Sequence, residues 1–95
     1  MAVDSMKITH DFVRKIDDAL MEHGVYAEVY RDIDYFGRDF LCIDISWGDW
    51  KHDHLRAKWV VEDVLGLDVM NWDTVVTEED GSDCYSAHHS VWINV

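Results

Sequence analysis

Proline is absent from this chain, only two cysteines occur, and no lysine or arginine follows residue 58. Each shortage excludes something. With no proline to break the chain, the five glycines carry the punctuation, and all of them sit where one periodic segment gives way to another. Cys42 and Cys84 are too few and too far apart for a disulfide framework or a CxxC zinc knuckle, which fits thiols in a reducing, cytoplasmic setting. No run of about 18 apolar residues is present to cross a bilayer, and no basic head followed by an apolar stretch suggests a secretory signal. GxSxG, HExxH and a Gly-rich phosphate loop are missing too, so no local signature supports nucleophilic or metal-assisted catalysis.

What the chain does have is acid. Twenty aspartates and glutamates face eight lysines and arginines, for a formal charge of −12. The imbalance is uneven: residues 59–95 hold eight acids and no base. Such a field repels nucleic acid and anionic lipid and attracts basic partners, including proteins that hold phosphates. The expectation is therefore no direct nucleic-acid binding and no membrane, with a basic protein as the partner.

Ninety-five residues with 48% hydrophobic content make one small domain. Residues 1–5, "MAVDS", read as a leader or cloning remnant, leaving 6–95 as the domain. "THDFVRKIDDALMEHG" places Phe12, Ile16, Ala19 and Leu20 on a helical stripe, with Thr9 as cap and Gly24 as stop. "YAEVYRDIDYF" alternates, with Ala27, Val29, Ile33 and Tyr35 on one face and Tyr26, Glu28, Tyr30, Asp32, Asp34 and Phe36 on the other. A turn at Gly37, Arg38 and Asp39 leads into a second strand that buries Leu41, Ile43, Ile45 and Trp47 and displays Phe40, Cys42, Asp44 and Ser46. A second helix follows Gly48, with Leu55, Val60, Val61, Val64 and Leu65 as its apolar stripe and Gly66 as its end. Two more strands flank Asp80-Gly81, a hairpin signal. The predicted fold class is α+β: a two-layer α-β-β-α-β-β domain with a four-stranded, mostly antiparallel sheet and both helices on one face.

If both helices cover one face, the other is bare, and its residues are acids and rings. Aromatics on an open sheet stack bases in RNA-binding modules, but those modules carry a basic rim, and here the rim is acidic. The reverse reading puts carboxylates where phosphates would stand for some basic protein. The expected contacts are Glu28, Tyr30, Asp32, Asp34 and Asp44, with Glu78, Glu79, Asp80 and Asp83 adding long-range attraction and Trp92, outward beside Ser90 and Asn94, as an exposed aromatic. Asp73 is a further candidate. In size and charge the chain resembles small acidic inhibitors encoded by phages, among them DNA mimics and some anti-CRISPR proteins, and also acidic immunity proteins that block nucleases. That likeness carries no motif and transfers no functional residue. It implies a non-enzymatic inhibitor of a basic protein such as a nuclease or CRISPR effector or, alternatively, an immunity protein or antitoxin with one cognate toxin.

The histidines raise a further alternative, a metal-binding or small enzymatic domain that draws on His52, His54, His88 and Cys84. Their spacing is poor for it. His88 and His89 point to opposite faces of a strand, and the other expectation has His52 and His54 exposed and His89 inward with Tyr85, Ala87, Val91 and Ile93. No cofactor is expected. Six histidines titrating near pH 6.5 would weaken an electrostatic partnership in mild acid.

Overall fold

A computed structural model describes residues 8–46, 50–78 and 85–94. Residues 1–5, Trp47, Glu79, Asp80, Asp83 and Cys84 lie outside the described residues, and the side chains of Ser46, Glu78 and Tyr85 are likewise not described. Helix α1 spans His10–Glu22, strand β1 Glu28–Ile33 and strand β2 Asp39–Ser46. Helix α2 runs Trp50–Trp59 and continues as a π-helical turn at Val60–Val64, ahead of strands β3, Asp68–Glu78, and β4, Tyr85–Asn94. The strands form one antiparallel sheet in the order β1-β2-β4-β3, so β2 and β4 are central and β1 and β3 are edges.

The ends of α1 follow from local chemistry. Thr9 is extended, and its hydroxyl accepts from the Phe12 N–H at 3.1 Å, satisfying a donor that the first turn leaves open. At the other end Gly24 takes φ +82°, letting Val25 N–H reach back to the Leu20 carbonyl at 2.8 Å. Between these caps Ile16, Ala19 and Leu20 are buried, as the stripe requires. They join Ala57, Val60 and Val61 from the second helical segment and Leu41, Ile43, Ile45, Val91 and Ile93 from the sheet in one apolar cluster. Each of those β2 and β4 residues occupies an odd-numbered position on its strand, so both helices cover the same face. Burial of one such side chain stabilises the fold by roughly 1.5–3 kcal/mol.

Several expectations need correction. Ile33 and Tyr35 do not join the inner face: Ile33 is 55% and Tyr35 99% exposed. The turn starts earlier than Gly37, because the Asp34 carboxylate accepts from the N–H groups of Phe36 at 2.8 Å and Arg38 at 2.9 Å and curls the chain at once. Arg31, between Val29 and Ile33, is exposed as well, and its guanidinium meets Asp39 at 3.1 Å at the sheet's edge.

Leu55 and Val64 also face outward, at 62% and 42% exposure. In their stead His54 and Ala57 turn toward the sheet, and the π-helical turn rotates the next residues so that Val60 and Val61 are both buried. His54 is thus not the exposed residue expected. Its ring lies 4.8 Å from that of His89 in a stacked arrangement, with Trp72 6.2 Å away.

A bulge in β3 between Val69 and Asn71 changes which residues face the core. Val69, opposite Ile93, packs inward before it; Trp72, opposite Val91, does so after it. Trp59 sits at the edge of the helix layer, 47% exposed, with its ring edge-on to His23 at 5.2 Å.

Candidate interaction face

The face away from the helices is built by the even-numbered residues of β1, β2 and β4. Cross-strand register aligns Glu28, Asp44 and His88 in one row, with Val75 of β3 next to His88. The adjacent row holds Tyr30, Cys42, Ser90 and Asp73. Among the described residues no helix covers these rows, and they are nevertheless ordered by their own hydrogen bonds.

Asp44 is the hub. The Tyr30 hydroxyl donates to its Oδ2 at 2.8 Å, while its Oδ1 meets His88 Nδ1 in a short contact. Nε2 of the same imidazole lies 3.4 Å from the Ser90 hydroxyl. Tyr30 keeps its proton to well above the ordinary phenol range, mainly because that proton is held by the Asp44 carboxylate and secondarily because the ring is desolvated. Cys42 lies beneath the row, 1% exposed, and belongs to no part of the helix-side cluster. Burial first, then the charges of Asp32 and Asp44, push its thiol up to about 11. It is a packed thiol with little thiolate character.

A second arrangement forms toward the β1–β2 turn. Phe40 and Trp92 stack with ring centroids 4.7 Å apart and planes 19° from parallel. The Trp92 indole N–H donates to Asp34 Oδ2 at 2.9 Å, tying the turn to the far central strand. Asp34 is consequently held below the usual carboxylate range, chiefly by the Arg38 backbone N–H, with the Trp92 and Phe36 N–H groups and the Arg38 charge assisting.

The residues expected to make contacts therefore divide into two kinds. Glu28 and Asp32 are exposed on the β1 edge, with Asp32 Oδ1 accepting from the Ile33 N–H at 2.8 Å. Asp34 and Asp44 spend their oxygens on internal partners, and Tyr30 and Trp92 are half-buried donors to them. On the opposite edge Asp68 and Asp73 are exposed, with Asn94 and Asn71 amides at 3.3 and 3.4 Å. Three inter-strand spacings separate the edges, so the two carboxylate rows stand about 14 Å apart across a strip of rings, hydroxyls and imidazole. His88 and Ser90 were not among the expected contacts. The alternation that turns Trp92 outward also turns them outward, but nothing local says that β4 would dock on β2 with His88 opposite Asp44.

The histidines proposed as a metal set are separated by the sheet. His54 lies on the helix side with His89, and His88 on the open side with Asp44. Among the described residues, no group of three or more His, Cys, Asp or Glu is placed to hold a metal ion. His89 is fully buried, as the alternation predicts, with Nδ1 3.0 Å from the Thr74 hydroxyl. Desolvation, followed by repulsion from His54 and His88, pushes its imidazole down to about 4. The described helices include none long and apolar enough to cross a membrane.

No protein-family model, curated protein or solved structure matches the chain. Only the chemistry of the face itself bears on its use.

Proposed function

We propose that the open face is a docking surface for a basic, phosphate-binding protein, which it blocks by occupying the groove meant for nucleic acid. One observation carries the reading: two exposed carboxylate rows, Glu28 and Asp32 on one edge and Asp68 and Asp73 on the other, flank an uncovered strip containing the Phe40–Trp92 stack. Their separation of about 14 Å is comparable to the roughly 12 Å width of a major groove, which a single strand of carboxylates could not imitate. The net charge of −12 speeds encounter, and the half-buried rings supply the area that slows release. Cytoplasmic residence and a phage inhibitor's role belong to this reading, because its targets work on intracellular nucleic acid.

The test is charge reversal by face. Glu28→Lys, Asp32→Lys and Asp73→Lys together are compared with an equal number of reversals on the exposed side of α1, at Asp11, Asp18 and Glu22. Each protein is titrated against a panel of purified nucleases and CRISPR effectors, with duplex DNA as competitor. The expected result is a bound partner displaced by DNA and weakened by salt, with affinity lost only in the open-face variant. Equal losses from both faces would mean that net charge alone is responsible and would defeat the reading.

A further inference from the structure

Ser90, His88 and Asp44 share one connectivity with hydrolytic serine sites: hydroxyl to imidazole Nε2, and imidazole Nδ1 to carboxylate. Asp44 comes from β2 and the other two from β4, with Asp44 and His88 directly opposite in the register. The carboxylate fixes the imidazole as its Nδ1–H tautomer, which leaves Nε2 as an acceptor facing Ser90. Tyr30 holds the second carboxylate oxygen, so Asp44 is anchored from two sides. The dyad is accessible: the His88 side chain is 41% and that of Asp44 29% exposed. The 3.4 Å from Ser90 to His88 is the loose approach common before substrate arrives.

We infer that Ser90 is an activated nucleophile that accepts acyl groups from esters carrying a positive charge. This goes beyond the docking role and does not depend on it. The cation preference follows from the surroundings. Asp73 lies opposite Ser90, Tyr30 is two strands away in the same row, and the Phe40–Trp92 stack occupies the next row of the same face. Carboxylates beside aromatic faces attract ammonium groups and repel anionic substrates.

In the reaction the Ser90 Oγ forms a bond to the acyl carbon while His88 Nε2 takes the hydroxyl proton. The bond from acyl carbon to leaving group breaks, and His88 returns the proton to release an alcohol or thiol. Water then attacks acyl-Ser90 with its proton passing through His88, giving a carboxylic acid and free serine. Asp44 is a positioning residue. Backbone N–H groups near Ser90 serve the sheet ladders with β2 and β3, so no preformed pair of donors awaits the oxyanion. Acylation and deacylation, which both pass through a tetrahedral oxyanion, are therefore both slow.

The experiment uses the full chain. Purified protein is treated with a fluorophosphonate and, separately, with acetylthiocholine or its uncharged isostere 3,3-dimethylbutyl thioacetate. Peptide mass mapping locates the adduct, and circular dichroism confirms the fold of each variant. The expected result is modification at Ser90, acetylation by the cationic ester at least fivefold faster than by the neutral one at low salt, and no adduct at this position in Ser90→Ala. His88→Gln should slow labelling at least tenfold while Ser90 is still present. Asp44→Asn should lower the maximal acylation rate with half-saturation little changed, a split that loss of surface charge would not give. Folded wild type that shows no Ser90 adduct, or that reacts equally with both thioesters, would overturn the proposal.

Discussion

Lowering the pH should destabilise this protein through His89 before its carboxylates begin to protonate. The ring is completely buried between α2 and the sheet, and its imidazole is pushed down to about 4. In the unfolded chain the same group titrates near 6.5, so as pH falls the unfolded state takes up a proton that the folded state refuses. Stability is therefore complete above pH 6.5 and declines down to about pH 4, where the folded ring also protonates. The difference of about 2.5 pH units corresponds to roughly 3 kcal/mol at 1.36 kcal/mol per unit, a large part of a small domain's stability. His54 acts in the same direction, lowered first by desolvation and then by the charge of Lys58. The charges facing the pair are His54 and Lys58 from α2, His88 on β4 and Asp44 on β2, and only Asp44 favours protonation of His89. Urea titrations followed by tryptophan fluorescence between about pH 7 and pH 4.5 measure the loss, with His89→Leu as comparison because its buried group cannot titrate. The absolute stability of the variant is immaterial; the wild type should lose about 2 kcal/mol more than the variant over that range. Parallel pH profiles, agreeing to within about 0.5 kcal/mol, would refute the assignment of a buried neutral imidazole.

Asp34→Ala should loosen the β1–β2 turn and release Trp92, lowering the melting temperature, whereas Asp34→Asn should keep the turn and lose only the indole bond; the Trp92 N–H resonance in a nitrogen-edited NMR spectrum separates the two. Because Asp34 is held below its ordinary value, its contribution is present above the unfolded carboxylate range and should fade as pH drops below about 3.8, a window distinct from that of His89. Gly37→Ala should cost about 1–2 kcal/mol by urea denaturation, since φ is +78° there and no atom within 4 Å would clash, leaving backbone strain as the sole cause. In a Cys84→Ser background, Cys42 should resist a thiol-disulfide reagent at pH 8 until urea is added, because a thiol at about 11 and 1% exposure is both protonated and hidden; rapid native reaction would show the face to be open at its base.

The helix α1, its caps and the inward positions from Leu41 to Ile45 and from Ala87 to Ile93 were legible in the sequence because each depends on a local period or a local cap. What failed involved elements that interrupt the period. The π-helical turn at Val60–Val64 inserts a residue into the helical count, so a stripe that includes Leu55 and Val64 finds Val60 and Val61 but misses the His54 and Ala57 side that the sheet receives. At Tyr35 the alternation continues in the sequence after the strand has ended, because an aspartate carboxylate outcompetes the ladder for two N–H groups. The candidate face was partly readable: Glu28, Tyr30, Asp32, Asp44 and Trp92 share it by alternation. Their partnerships were not, since the contact of Asp44 with His88 spans 44 residues and depends on β4 inserting between β2 and β3.

That insertion gives two neighbouring histidines opposite roles. His88 and His89 differ by one position on a central strand, so one meets a carboxylate at the open surface and the other a stacked ring in the core. The sequence alone suggests six histidines that together reduce the acidic field in mild acid. Burial removes His54 and His89 from that set, because a proton on either must first overcome desolvation. Mild acid therefore acts on the two faces by different routes. On the helix face it draws down folding stability through a proton taken up by the unfolded chain. On the open face any weakening of partner binding must come through the exposed groups. A loss of binding whose midpoint coincides with unfolding would assign the effect to His89; one that precedes unfolding would assign it to the surface.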